Sequence, residues 1–94
     1  MATNTRLTVA ATANDSADFT VAVGGTLSVF LDYGVGIENC PRTAEILIQK
    51  KSGSDYHTMF RLNAALPAVV IEGAGTYRAR RGVQDVAVGL DSET

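Results

Sequence analysis

Hydrophobic and polar residues alternate along this chain with a period of two, and glycine or small polar residues interrupt the pattern at short intervals. Such alternation predicts strands with one buried face, because successive side chains of an extended chain point to opposite sides. Leu7 and Val9 flank Thr8 in a first strand over residues 6–12, and Phe19, Val21 and Val23 alternate with Thr20 and Ala22 in a second. Leu27, Val29 and Leu31 share a face in a third, with Ser28 and Phe30 opposite. Residues 44–50 place Ile46 and Ile48 on one face and Glu45, Leu47 and Gln49 on the other. Tyr56, Thr58, Phe60 and Leu62 continue the alternation opposite His57, Met59 and Arg61. Residues 68–71, 76–81 and 86–90 complete the set.

The interruptions carry turn chemistry. Asn14, Asp15 and Ser16 favour a turn through local hydrogen bonds to backbone, Gly24-Gly25 reads as a hairpin, and residues 50–55 as a polar hairpin tip. Residues 32–43, with Gly34, Gly36, Asn39 and Pro41, form the longest loop and the expected crossover between two sheets. Tyr33, Val35 and Ile37 alternate inside it, enough for a short irregular strand. Residues 63–67 read as a bend or one helical turn, and residues 82–85 as a turn. Residues 69–81 read as strand, tight turn and strand, with Gly73 and Gly75 freeing the backbone between them. Tyr77 and Ala79 then share one face, and Thr76, Arg78 and Arg80 the other. A glycine followed closely by an inward tyrosine resembles the corner of immunoglobulin-like sandwiches, where the hydroxyl bonds back to backbone.

About eight short strands, with no helical periodicity sustained over three turns, predict an all-β fold. The expectation is one small antiparallel β-sandwich or barrel, immunoglobulin-like or jelly-roll-like, spanning residues 1–94. Residues 1–5 read as a loose N-terminal arm and residues 91–94 as a solvated acidic C-terminal tail.

Composition narrows the function. Hydrophobic residues are 46% of the chain and charged residues 19%, which is a folding composition. A net charge of −2 argues against bulk nucleic-acid binding. Cys40 is the sole cysteine, so no internal disulfide staples the fold. The N-terminus lacks a basic-then-apolar leader and no apolar run is long enough to span a membrane, so the chain is expected to be made without export. Ninety-four residues bury a modest share of their surface, and assembly would add to their stability.

Candidate chemistry is sparse. His57 follows Asp55 by two residues, with Ser54 beside them, but Asp55 falls in a turn and no serine sits in a nucleophile-elbow sequence. One Cys and one His do not make a zinc site, and Asp15, Asp18 and Asp32 lack calcium-loop spacing. Gly34-Val35-Gly36 and Gly73-Ala74-Gly75 are turns rather than dinucleotide fingerprints, since neither has the third glycine or a following helix. Asn14-Asp15-Ser16 matches a glycosylation sequon without an accompanying export signal. No catalytic residue, metal or cofactor is therefore expected. Arg78, Arg80 and Arg81 form the one basic cluster, with Arg61 expected nearby. It reads either as an anchor for a partner's acidic groups or as a solvated sheet face that resists edge-to-edge pairing.

Three stretches carry a resemblance. Residues 15–31, a strand, a glycine turn and a strand, residues 44–51 leading to residues 56–62, and the glycine–tyrosine–arginine run over residues 71–81 are together similar to the small all-β virion proteins of tailed bacteriophages. That resemblance implies a non-enzymatic structural protein of the virion, of the head decoration or cement type, which binds the major capsid protein and stabilises the shell. It implies a homo-oligomer, trimer or dimer, made in the host bacterial cytoplasm, with no role for nucleic acid or membrane. Some cement proteins carry a long N-terminal arm, of which this chain offers only residues 1–5. The contacts expected are the arm, the loop from Tyr33 through Ile37 to Arg42, and the strand bearing Arg78, Arg80 and Arg81. A tail or tail-fibre β-domain and a carbohydrate-binding β-sandwich are the alternatives, the latter disfavoured by the absence of tryptophan.

Overall fold

Leu27, Val29 and Leu31 point one way from their strand and are buried, as their spacing predicts. The same rule shapes the computed structural model, which describes residues 3–34 and 39–94. Among the described residues nine strands run β1 (Thr3–Ala10), β2 (Asn14–Asp15), β3 (Phe19–Val21), β4 (Leu27–Asp32), β5 (Ile46–Ser52), β6 (Asp55–Leu62), β7 (Ala68–Ile71), β8 (Gly75–Arg81) and β9 (Val88–Glu93). They form two antiparallel sheets packed as a β-sandwich. One sheet has the order β1-β9-β4-β7, and the other runs β2-β8-β5-β6 with β3 also paired to β8. The core lies between them, where Val29, Ile46, Ile48, Leu62, Ala79, Val88 and Leu90 are wholly buried.

Connectivity differs from the sequence reading in two places. Gly24 turns the chain at φ 78° with Gly25 N–H donating to Ala22 O at 2.9 Å, yet this is no hairpin. β3 pairs with β8, whereas β4 pairs with β7 and β9, so the turn joins the two sheets. Residues 69–81 likewise form an arch between sheets, not a strand pair. Tyr77 closes that arch: its hydroxyl donates to Gly73 O at 2.6 Å, and its ring lies 6.3 Å from that of Phe19. The tyrosine corner expected from the sequence is thus present. Gly75 carries the unusual backbone angle, φ 152°, while Gly73 is needed for space, since a Cβ there would lie 3.2 Å from the Tyr77 hydroxyl. The loop after β4 does cross between the sheets.

The chain ends are also more ordered than expected. Thr3, Asn4 and Thr5 belong to β1 and pair with Glu93, Ser92 and Asp91. The segment from Asp91 to Glu93 is no solvated tail, because β9 lies inside its sheet between β1 and β4. Ser92 is fully buried, and Arg6 Nε donates to its hydroxyl at 2.7 Å. Asn14 and Asp15, expected as a turn, form a short strand against Arg81 and Arg80.

A β-bulge alters one face. Ile48 pairs with Phe60 but Gln49 pairs with Thr58, leaving Met59 as an extra residue on β6. Residues opposite one another in an antiparallel pair share a face, so the bulge divides the expected set of four. Phe60 and Leu62 face inward opposite Ile48 and Ile46, while Tyr56 and Thr58 face outward opposite Lys51 and Gln49.

Candidate functional site

The bulge supplies the aromatic residue of a polar network on the outer face of the five-stranded sheet. Gln49 stands in register between Thr58 on β6 and Arg78 on β8, and Leu47 between Arg61 and Arg80. Arg78 Nε donates to Gln49 Oε1 at 2.9 Å, and its guanidinium lies 3.6 Å from the centroid of the Tyr56 ring. A guanidinium over an aromatic face is held by the ring quadrupole. Its Nη1 approaches Asp15 Oδ2 at 3.6 Å, and the side chain is 19% exposed. Tyr56 donates its hydroxyl to both Asp18 carboxylate oxygens, at 2.9 and 3.0 Å. That hydrogen bond, above all, raises the Tyr56 pKa, because the phenolate would lose its acceptor and face the Asp18 charge.

The basic residues singled out in the sequence therefore separate. Arg78 is held within its own sheet. Arg80 is 55% exposed and shares Asp15 with Arg78, its Nε 3.6 Å from Asp15 Oδ1. Arg61 Nη1 lies 3.1 Å from both oxygens of Glu45. Arg81, expected at a partner surface, is 2% exposed and unavailable for contact. Strand parity explains this, since Arg81 shares the inward face of Tyr77 and Ala79. Its guanidinium crosses the sandwich and donates to Thr12 O at 2.7 Å, Thr8 O at 2.6 Å and Val88 O at 2.8 Å. It ties β8 to β1 and β9 of the opposite sheet.

Arg42 is exposed. Tyr33 is half-buried and packs against the core. Ile37 lies outside the described residues. Cys40 is half-buried beside the core, and burial pushes its thiol pKa up. His57 is exposed on β6 opposite Lys50, and Asp55 pairs with Ser52 at the hairpin end.

The ends of four neighbouring strands form a second feature. An open depression of about 500 Å³ is lined by Arg42–Glu45 and Asn63–Ala65. A second, of about 350 Å³, shares Thr43 and Glu45 with the first and adds Gly82–Asp85. A third, of about 390 Å³, shares Gly82 with the second and adds Ala13, Asn14, Asp15, Arg80 and Arg81. Together they make one trough across the ends of β6, β5, β8 and β2, in sheet order. Gln84 stiffens its middle: Glu45 N–H donates to Gln84 Oε1 at 3.0 Å, Gln84 Nε2 donates to Glu45 O, and Gln84 N–H donates to Ala11 O at 2.9 Å. Thr43 Oγ1 donates to Asp85 Oδ1 at 2.8 Å. Val83, at the rim, is 84% exposed.

Sequence reasoning did not assign Asp15, Asp18, Gln49, Tyr56 or Gln84 to a site. The first four converge through register and a bulge, and Gln84 through a loop that folds back on the first residue before β5. Among the described residues no group of three or more His, Cys, Asp or Glu is arranged to hold a metal ion. Among the same residues no helix is long and apolar enough to cross a membrane. Comparison with protein-family models, with curated proteins and with solved structures finds no match to this chain.

Proposed function

We propose that the protein is a non-enzymatic structural subunit of a phage virion, a head decoration or cement protein that bridges neighbouring capsid subunits. The observation that carries this reading is a pair of bare apolar side chains at opposite ends of the sandwich. Val23 is 92% exposed at the turn beside the first residue of β8, to which Val21 pairs, and Val83 is 84% exposed just beyond the last. A seven-residue strand separates them by about 20 Å. Isolated exposed valines are common, but two that crown opposite loop ends suit a short strut with a contact at each tip. Repetition over a symmetric shell turns modest contacts into firm retention. The subunit would assemble onto heads in the bacterial cytoplasm, as a trimer or dimer.

The test is co-sedimentation with heads of the encoding phage assembled without this protein, followed by heating of the decorated shells. The wild-type protein should pellet with the heads and raise their melting temperature. Val23→Asp should still pellet but lose most of that gain, because one end of the strut is blunted. A wild-type protein that stays in the supernatant would remove the proposal.

A further inference from the structure

We infer that the trough across the ends of β6, β5, β8 and β2 is a docking groove for an extended acidic segment of a partner protein, with carboxylates set against Arg42 and Arg80. This rests on the reading above and deepens it by naming the chemistry met at one of the two ends.

Charge bookkeeping within the groove gives the sign of the occupant. Each carboxylate lining it already has a donor or cation. Glu45 faces Arg61 through both oxygens, Asp85 accepts from Thr43, and Asp15 lies between Arg78 and Arg80. The cations are less well supplied. Arg42 has no ion pair among the described residues, and Arg80, half in solvent, has only a share of Asp15. Asp85, which accepts only a neutral hydroxyl, offsets one of these charges; Arg42, Arg61, Arg78 and Arg80 against Asp15, Glu45 and Asp85 leave an excess of one positive charge, and guanidinium favours carboxylate through its two-pronged geometry.

Shape gives the form of the occupant. The groove crosses four adjacent strand ends, hence three inter-strand spacings of about 4.8 Å, or about 14 Å in all. That length holds about four residues of extended chain at about 3.3 Å each. Val83 on the rim offers an apolar contact near the middle of the span. Gly82 lines both depressions where they meet, and a Cβ added there would meet nothing within 4 Å. A larger side chain at Gly82 would therefore obstruct the groove without disturbing the sandwich.

Two measurements decide the matter, one of them independent of any capsid. In the first, backbone amide resonances are followed while a capped peptide Glu-Leu-Asp-Glu is added to millimolar concentration, with Lys-Leu-Lys-Lys as its counterpart. The acidic peptide should shift the signals of Arg42, Gly82 and Val83 in a saturable, salt-sensitive way, and the basic one should not. Gly82→Val, its fold verified by an unchanged melting curve, should abolish those shifts. No saturable shift, or equal shifts with both peptides, would overturn the inference. In the second, Gly82→Val and Arg42→Glu are compared with wild type for binding to undecorated heads, where each should weaken retention by about tenfold, the equivalent of about 1.4 kcal/mol. Wild-type binding that both variants share unchanged would overturn the groove and leave the decoration reading standing. Self-association of the protein alone that Gly82→Val abolishes would make the occupant a second copy, and would overturn it as well.

Discussion

Arg81 shows how one side chain can serve two sheets. It is buried, charged and surrounded by carbonyl oxygens rather than by a carboxylate. A buried guanidinium is tolerated only when its buried donors are met, and here three carbonyls accept from Nε and Nη1. Lysine keeps the charge but concentrates it at one point, and it cannot reach carbonyls on β1, on β9 and at Thr12 together. Arg81→Lys should therefore destabilise the fold by about 1.5–3 kcal/mol, the range for hydrogen bonds to charged groups. Arg81→Ala should cost at least as much, because three carbonyls then lose their donor. Urea denaturation followed by fluorescence or circular dichroism reads both. Tyr77 makes a smaller contribution of the same kind. Tyr77→Phe keeps the ring against Phe19 and deletes the bond to Gly73 O, for an expected loss of about 1 kcal/mol.

At the scale of strands, the extra residue in β6 decides which side chains meet. Met59 is 52% exposed and contributes little packing, but its place in the bulge turns Tyr56 outward onto Arg78. Deleting Met59 should leave Phe60 opposite Ile48 and Thr58 opposite Gln49 in an unbroken ladder, so Tyr56 stays on the outer face against Arg78. The expected outcome is an unchanged upfield ring-current shift on the Arg78 side-chain protons. A deletion variant that loses that shift would show that β6 has slipped by one residue against β5. This strand also marks the limit of what periodicity can reveal. The inward faces of β4, β5 and β8 follow from counting residues in twos, and so does the corner at Tyr77. The same count applied to the last residue of β8 would have placed Arg81 inside. Its presence in a run of arginines drew it instead to the surface cluster. A bulge leaves no such trace, since the alternation of residues 56–62 is perfect in the sequence and broken only by pairing with β5. The pairing of sheets was hidden for a related reason: a turn with glycine looks alike whether it joins partners in one sheet or arches to the other. Of the site, Arg42 and Arg80 were legible as exposed cations. The trough between them was not, because it is assembled from loops distant in sequence.

The whole sandwich is electrically uneven, and its stability should depend on pH accordingly. On the five-stranded sheet the outward carboxylates have cations or hydroxyls beside them. The four-stranded sheet presents Asp32, Asp91 and Glu93 on its outer face, at positions alternating with the buried Leu31, Leu90 and Ser92. Asp91 lies on the inner strand β9, flanked by Thr5 on β1 and Phe30 on β4. Its Oδ1 is shut off from solvent with no hydrogen-bond partner among the described residues. Burial, and then the nearby charge of Asp32, raise its pKa, while a hydrogen bond with Thr5 offsets part of the rise. A carboxyl group that binds its proton more tightly when folded favours folding wherever that proton is on. The contribution is complete below the ordinary carboxylate value of about 3.9 and is lost as pH rises through the elevated folded value. At neutral pH the charged group therefore weakens the fold, by about 1 kcal/mol, the low end of the cost of an unsatisfied buried polar group, because Asp91 is only half-buried. Asp91→Asn removes the charge and retains the shape. The variant should have the higher urea midpoint at neutral pH, and its advantage should shrink as the solution is acidified towards the carboxylate range. An advantage that stayed constant with pH would place its origin in packing, not in the charge of Asp91.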